Sequence, residues 1–216
     1  MAAPRKTRVA VLISGRGSNM VALIEAAKDP AYPAEIVLVL SNRPDAAGLT
    51  RATASGIPAR AIDHTGFRDR ASFDAALDAA LRAADIDLVC LAGFMRIFTP
   101  DFVAGWAGRM LNIHPSLLPL FKGTHTHAQA LEAGVRLHGC TVHFVVPELD
   151  AGPIVAQAAI PVRQGDDPDS LADRVIVEER RLYPAVLALV AGGRARLEGD
   201  RVVIADTAPD GVLFSL

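Results

Sequence analysis

Three polar residues, Asn112, His114 and Asp150, have side chains of the types that hold a developing oxyanion and move a proton. An amide can donate a hydrogen bond to the oxyanion, and an imidazole exchanges protons near neutral pH. Asn112 and His114 lie two residues apart, so on an extended strand their side chains point to the same face. The spacing therefore predicts that the amide and the imidazole belong to one site.

This pair belongs to the segment Leu111–Pro119, which predicts a strand that ends in an irregular loop. Pro115 has no N–H to donate to a sheet, and Pro119 restricts the residue before it, so the strand should stop after His114. The imidazole is then expected at a strand end, where ligand crevices open in α/β sheets. An arbitrary histidine more often satisfies loose backbone groups. The length and unusual composition of this segment favour the chemical interpretation.

A second candidate site is the loop after the first predicted strand, which we call the glycine loop. Val9–Ile13 is a continuous apolar run, typical of a strand buried on both faces, and it indicates a parallel sheet. Two glycines after it would let backbone N–H groups approach a phosphate, and two polar side chains add donors at a helix N-terminus. Tight strand-to-helix turns also use glycine, so this signal alone is weak. The spacing matches neither a dinucleotide fingerprint nor a nucleoside-triphosphate loop. The residues of the glycine loop are Gly15, Arg16, Gly17, Ser18 and Asn19.

The remaining pattern predicts an α/β fold. Its central sheet is expected to be mostly parallel and twisted, with helices on both faces and an antiparallel C-terminal part. Residues 194–204 contain a Gly-Asp turn that predicts a terminal hairpin. Predicted strands also cover residues 35–40, 87–92, 139–146 and 154–160, and predicted helices cover residues 47–54, a stretch from Arg70 and residues 171–190.

Three segments carry a resemblance to a known family, the folate-dependent formyltransferases. The similarity extends from about Val9 to Pro184, which is nearly the whole chain. With the glycine loop included, the sequence is most similar to the members that act on glycinamide ribonucleotide. The three segments are Asn112–Pro119, Ala92–Arg96 and Glu148–Ile154.

The resemblance implies a single formyltransferase domain, residues 1–216, with a Rossmann-like fold. Its nucleotide- and phosphate-binding half would be residues 8–111, approximately, and its catalytic and folate-binding half residues 112–216. The implied reaction moves the formyl group of 10-formyltetrahydrofolate, a co-substrate, to the amine of N1-(5-phospho-D-ribosyl)glycinamide in purine biosynthesis. Both substrates are small molecules, and no metal is implied.

The catalytic roles of the family fall on Asn112, His114 and Asp150. Asn112 and a protonated His114 would stabilise the tetrahedral oxyanion, and His114 would pass its proton to the leaving folate nitrogen. Asp150 would favour the protonated imidazole and arrange a water for proton transfer. A loop aspartate can instead cap backbone N–H groups. The surrounding Glu-Leu-Asp-x-Gly-Pro sequence favours the role that the family implies.

Other family positions carry binding roles, each with a plainer alternative. Besides the glycine loop, the ribonucleotide would contact Glu179, although an exposed helical glutamate is usually a solvated charge. Arg16 and Arg70 could likewise be simply solvated. The folate would lie against the loop Phe94–Phe98, which we call the apolar loop and which offers walls for a flat ring. Phe94, Met95 and Ile97 could instead be ordinary core. The full set implied for the folate is Arg70, Met95, Arg96, Ile97, Phe98, Asn112 and Asp150.

Composition argues against several classes of protein. The 22 basic and 24 acidic residues are mixed throughout and give a formal charge of −2, so no basic surface is available for nucleic acid. No apolar stretch reaches the length of a membrane span. Cys90 and Cys140 lie in predicted strands, which indicates buried reduced thiols and a cytoplasmic protein. The oligomeric state is left open, with a homodimer among the options.

Three other interpretations remain open. His125, His127 and His143 could hold a metal ion in a hydrolase, but an i, i+2 spacing is poor for ligands on a helix. Relatives that hydrolyse formyltetrahydrofolate or formylate methionyl-tRNA carry an additional domain, for which 216 residues are expected to leave no room. A nucleotide-binding module without catalysis would not need the catalytic residues named above.

Overall fold

The computed structural model describes residues 5–205 of the 216-residue chain. Its strands are β1 Thr7–Ile13, β2 Ala34–Ser41, β3 Ala59–Ala61, β4 Leu88–Leu91, β5 Met110–His114, β6 Leu137–Phe144, β7 Ile154–Pro161, β8 Ala195–Glu198 and β9 Arg201–Ile204. Its α-helices are α1 Ser18–Ala27, α2 Ala47–Ala54, α3 Arg70–Ala83, α4 Pro100–Gly105, α5 Thr126–Glu132 and α6 Pro168–Ala191. A short 3₁₀ helix covers His64–Gly66.

Seven strands form one sheet in the order β3-β2-β1-β4-β5-β6-β7, and β8 and β9 form a separate hairpin. Strands β1 to β5 are parallel, and β6 and β7 are antiparallel to their neighbours. The predicted fold class is therefore confirmed. The strand order runs outward from β1 and β4 in opposite directions, which places the expected ligand crevice at the carboxyl ends of these two strands.

β1 is buried on both faces because its side chains alternate between two cores. Val9, Val11 and Ile13 pack on the face that carries α1 and α6. Ala10 and Leu12 pack on the opposite face, with α3 and α4. A strand enclosed between two helical layers needs apolar residues at every position, which explains the continuous run in the sequence.

Helix α6 also ties two central strands together next to the expected crevice. Tyr183 is fully buried, and its hydroxyl oxygen lies 3.1 Å from the carbonyl oxygens of both Leu91 and Leu111. Burial raises the pKa of Tyr183 well above its usual value, so the hydroxyl remains a donor. Leu111 directly precedes Asn112, and the hydroxyl therefore joins β4 to β5 next to the polar residues of β5.

Two predicted elements have boundaries that are wrong by two or three residues. Helix α6 begins at Pro168 rather than at residue 171, because Asp167 and Ser170 form a capping box and proline suits the first helical position. Strand β6 begins and ends two residues earlier than predicted, because its pairing with β7 sets its length.

The two cysteines have the predicted surroundings. Cys90 in β4 and Cys140 in β6 are buried and form no disulfide. Burial raises the pKa of Cys90 to about 12, so this thiol stays protonated. Within residues 5–205, none of the helices combines the length and the apolar character needed to cross a membrane.

We predict that Tyr183→Phe lowers the free energy of unfolding by about 1 kcal/mol, because it removes a buried hydrogen bond and keeps the ring. Urea unfolding followed by circular dichroism measures this change. Tyr32→Phe is the comparison, since it removes a hydroxyl that donates to the Pro184 carbonyl from a half-buried position, and we expect a smaller loss. An unchanged unfolding midpoint for Tyr183→Phe would show that the hydroxyl does not join the strands.

Candidate active site

Strand ends bring the predicted site residues to one edge of the sheet. The glycine loop follows β1, the apolar loop follows β4, and Asn112 and His114 lie at the end of β5. Leu91 of β4 pairs with Asn112. On the other side of β5, strand β6 places His143 opposite Asn112 and Thr141 opposite His114. The parallel and antiparallel halves of the sheet therefore meet at Asn112 and His114.

His114 is buried, and both of its ring nitrogens face oxygen atoms. Nε2 donates a hydrogen bond to the carbonyl oxygen of Phe121 at 2.9 Å. Nδ1 lies 3.5 Å from Oδ2 of Asp150. Each ring nitrogen therefore faces an oxygen that can accept a hydrogen bond. The arrangement suits a side chain that donates hydrogen bonds and exchanges a proton.

Asp150 reaches His114 from the loop between β6 and β7. Its backbone is left-handed, with φ of 48°, and its side chain is almost completely buried. Oδ2 also accepts a hydrogen bond from the N–H of Gly123 at 2.9 Å. The capping role considered as an alternative is therefore present together with the contact to His114. The same loop passes so close to β6 that a Cβ at Gly152 would lie 1.8 Å from the Phe144 carbonyl oxygen.

His143 belongs to this group, a role that the sequence alone does not assign to it. Its Nδ1 donates to the Phe144 carbonyl oxygen at 2.9 Å, and burial lowers its pKa, so the ring is neutral with Nε2 as an acceptor. Asn112 donates its Nδ2–H to that Nε2 at 3.2 Å, which orients the amide. The alternation of β6 was the available signal, since it puts His143 on the polar face. We call Asn112, His114, His143 and Asp150 the His114 cluster.

A second set of polar groups, which no pattern in the sequence indicates, connects the loop after β5 to β6 and β7 by hydrogen bonds. Thr141 Oγ1 donates to the Ser116 carbonyl at 2.7 Å and accepts from the Leu118 N–H at 3.0 Å. Gln157 Nε2 donates both to Thr141 Oγ1 and to the Leu118 carbonyl, each at 2.9 Å. These bonds fix the loop whose backbone contacts the His114 cluster.

The glycine loop presents backbone donors at the start of α1. Gly17 adopts a left-handed φ of 69° at the N-cap, and no side chain in the described part of the chain caps this helix. The N–H groups of the first turn, starting at Ser18, can therefore bind an anion with the support of the helix dipole. Gly15 and Arg16 are exposed at the front of the loop. This geometry suits a phosphate group.

Glu179 is not a solvated charge, so that alternative is wrong. It is only 5% exposed, and its Oε2 accepts a hydrogen bond from Asn19 Nδ2 at 2.6 Å. Burial raises the pKa of Glu179, although the bond from Asn19 opposes this effect. Among the described residues, Asn19 Oδ1 has no hydrogen-bond partner despite its burial. A buried acceptor of this kind, next to the glycine loop, suits contact with a ligand donor.

The apolar loop after β4 divides its side chains between solvent and core. Met95 is 72% exposed and Ile97 is 52% exposed, so their interpretation as ordinary core is wrong. Phe98 is buried and stacks with Phe94 and Phe102, at centroid distances of 5.3 and 4.6 Å. Its side chain therefore serves the core, and only its backbone remains for a ligand.

Of the two arginines predicted to contact folate, one packs against α3 and the other is its first residue. Arg96 extends from the apolar loop, and its guanidinium carbon lies 5.6 Å from the ring centroid of Phe73. Arg70 is exposed at the first residue of α3, one turn before Phe73. Within residues 5–205, Arg70 makes no hydrogen bond to the His114 cluster. The structure thus places Arg96 against α3 and Arg70 at the exposed start of that helix.

The histidines considered as metal ligands have separate surroundings. His143 belongs to the His114 cluster, and His127 Nδ1 lies 3.1 Å from Nε2 of the buried His138. His125 is exposed at the start of α5. In the part of the chain that the structure describes, no group of three or more His, Cys, Asp or Glu side chains could hold a metal ion. The metallohydrolase interpretation therefore gains no support from these residues.

The buried His138 predicts a specific sensitivity to acid. Burial, with a smaller effect of His127, lowers its pKa to about 4, whereas an unfolded chain has a histidine pKa of about 6.5. The unfolded state therefore binds the proton more readily, so the stability is complete above pH 6.5, approximately, and falls as the pH decreases toward 4. We predict that His138 contributes a loss of roughly 3 kcal/mol in unfolding free energy across this interval.

Urea unfolding at several pH values between 4 and 7, approximately, measures this effect. His138→Gln should show a weaker pH dependence than the wild type. His125→Gln is the matched control, because His125 is exposed, and its pH dependence should equal that of the wild type. The same slope in all three proteins would mean that His138 is not the group responsible.

Comparison with known proteins gives consistent matches over most of the chain. A family model described as formyl transferase matches residues 7–187. Phosphoribosylglycinamide formyltransferase of Escherichia coli (strain K12) is 46% identical over 189 residues, which cover 88% of this chain and 89% of that protein. The trifunctional purine biosynthetic protein adenosine-3 of Bos taurus is 53% identical over 194 residues, or 90% of this chain. The chain spans only 19% of the length of that trifunctional protein.

Solved structures show the same similarity in three dimensions. Glycinamide ribonucleotide transformylase 1 from Symbiobacterium toebii has a TM-score of 0.90 and 46% identity, covering 93% of this chain and 95% of that chain. Phosphoribosylglycinamide formyltransferase from Brucella melitensis has a TM-score of 0.84 and 50% identity, covering 88% of this chain and 97% of that chain. The similarity therefore includes the sheet edge at which the candidate site lies.

Proposed function

The chain belongs to the formyl transferase family, and we propose that it transfers the formyl group of 10-formyltetrahydrofolate to the amine of N1-(5-phospho-D-ribosyl)glycinamide. The products are formylglycinamide ribonucleotide and tetrahydrofolate, in purine biosynthesis. The observation that carries the proposal is the His114 cluster, in which a buried imidazole lies between a carboxylate and a loop carbonyl at the same sheet edge as the glycine loop. The names of the Escherichia coli and Symbiobacterium toebii proteins support the choice of acceptor.

In the proposed reaction, the amine attacks the formyl carbon and produces a tetrahedral oxyanion. Asn112 uses one amide N–H for His143 and has a second one to offer the oxyanion. His114 offers its Nε2–H when the formyl oxygen takes the place of the Phe121 carbonyl. Stabilisation of the oxyanion by such donors is usually the largest catalytic effect, at about 3 kcal/mol per good donor.

Proton transfer completes the reaction. Breaking the bond between the formyl carbon and N10 requires a proton on N10, and the attacking nitrogen must lose one. We assign the donation to N10 to the imidazolium of His114. Asp150 favours that charge through its Oδ2, and its Oδ1 is free of the bond to Gly123 and can orient a water that carries the proton of the amine.

The two substrates are proposed to approach the His114 cluster from different strands. The phosphate of the ribonucleotide would bind the glycine loop, and Glu179 with Asn19 would contact the rest of that substrate. The folate would lie along the apolar loop, where Met95 and Ile97 are exposed, and Arg96 and Arg70 would contact it. Residues 8–111 would thus mainly bind phosphate and residues 112–216 mainly perform catalysis, although the apolar loop places part of the folate site in the first half.

We predict that His114→Ala and Asp150→Asn each lower kcat by about 10²–10³ and change the KM of either substrate much less, because each removes stabilisation specific to the transition state. A spectrophotometric assay of formyl transfer to glycinamide ribonucleotide measures both parameters. Asp173→Asn, on the exposed side of α6, is the control for loss of a carboxylate and should match the wild type. Near-normal kcat in a folded His114→Ala or Asp150→Asn protein would remove that residue from the mechanism.

A second prediction concerns the phosphate. An analogue of the ribonucleotide that lacks its phosphate should bind at least about 100-fold more weakly, because it forfeits charge-assisted bonds worth about 1.5–3 kcal/mol each. Isothermal titration calorimetry with the analogue and with the parent ribonucleotide gives the ratio. Equal affinities would show that the glycine loop does not bind the phosphate.

A further inference from the structure

Helix α2 lies directly behind the glycine loop and uses that loop as its cap. Its N-cap residue is Ala46, which has no side chain able to accept a hydrogen bond. The N–H of Gly48 instead donates to the carbonyl oxygen of Gly15 at 3.0 Å. Helix α1, which starts at the other end of the same loop, keeps its first N–H groups for a ligand. Helix α2 therefore contacts a carbonyl oxygen of the loop, whereas α1 begins with N–H groups that are available to a ligand.

This bond sets the orientation of one peptide group in the loop. In a planar trans peptide, the carbonyl of Gly15 and the N–H of Arg16 point in opposite directions. Because Gly48 holds the carbonyl toward α2, the N–H of Arg16 points away from α2. A carbonyl oxygen turned toward a phosphate would repel it, whereas an N–H group binds it. The bond from Gly48 thus turns the Gly15 carbonyl oxygen toward α2 and the Arg16 N–H away from α2.

The loop also rests on the bare backbone of Gly48, which is buried. A Cβ at Gly48 would lie 3.1 Å from the Gly15 carbonyl oxygen, 3.3 Å from Gly17 Cα and 2.4 Å from Ile13 Cδ1. A Cβ at Gly15, in contrast, would meet no atom within 4 Å. The loop therefore has a closed side against α2 and an open side at Gly15. Gly48 does not have a positive φ, so the close contact rather than backbone freedom is what excludes a side chain.

We propose that Gly48 is a positioning residue for phosphate binding by the glycine loop. Its N–H orients the peptide between Gly15 and Arg16. Its lack of a side chain sets the distance between the glycine loop and α2. An added methyl group pushes the loop toward the ligand and tilts its donors. The inference rests on the proposed function for the identity of the bound group, a phosphate on a sugar.

The test compares Gly48→Ala, the double variant Gly48→Ala with Ile13→Val, and Gly66→Ala. Ile13→Val deletes the Cδ1 atom that the new methyl group would meet first, so the double variant relieves the core but not the loop. Gly66→Ala is the matched control, because a Cβ there meets no atom within 4 Å. Thermal unfolding monitors folding of each protein. Isothermal titration calorimetry with ribose 5-phosphate reports the phosphate site without turnover.

We expect Gly48→Ala to bind ribose 5-phosphate about tenfold more weakly and to raise the KM of the ribonucleotide similarly, with little change in kcat or in the KM of the formyl donor. The double variant should regain stability and keep the weaker binding, and Gly66→Ala should match the wild type. Wild-type affinity in Gly48→Ala, full recovery of affinity in the double variant, or no binding by the wild type would each overturn the proposal. Absence of formyl transfer by a wild type that binds ribose 5-phosphate would overturn the proposed function alone.

Discussion

The contact between His114 and Asp150 is the interaction on which the rest of the site depends. It brings together a residue at the end of β5 and a residue from the loop beyond β6, so it forms only because β6 runs antiparallel to β5 and turns back at the site edge. Both side chains are buried, and burial of polar groups costs free energy unless hydrogen bonds satisfy them. The Phe121 carbonyl and the Gly123 N–H supply those bonds from a single loop. The geometry of the His114 cluster therefore depends on the geometry of this loop.

The ends of the parallel strands β1, β2 and β4 are joined by polar bonds as well as by packing. Ser14, directly after β1, donates to Asn42 Oδ1 after β2 at 2.5 Å and accepts from the N–H of Met95 after β4 at 2.8 Å. The serine therefore links the glycine loop to the apolar loop. A bond from the Ser14 N–H to the Gly93 carbonyl oxygen at 3.2 Å adds a second link between the ends of β1 and β4.

Several groups at this edge are buried at a cost to stability. Burial lowers the pKa values of His138 and His143 and raises that of Glu179, so each of these side chains is less readily charged than in water. Their hydrogen bonds offset only part of the desolvation. Apolar side chains at the same positions would be buried without this desolvation cost. The arrangement instead keeps hydrogen-bond donors and acceptors at this edge of the sheet.

The sequence by itself determined the local features of this protein. The apolar run of β1 predicted burial on two faces, the spacing of Asn112 and His114 predicted a shared face, and the glycine loop predicted a place for an anion. Periodicity and the restrictions of proline and glycine act over a few residues, so they can be read from the chain. Only the tertiary structure decided that Glu179 is buried against Asn19, 160 residues away, and that His143 orients Asn112. These contacts depend on strand register and on how distant helices pack, which no local pattern specifies.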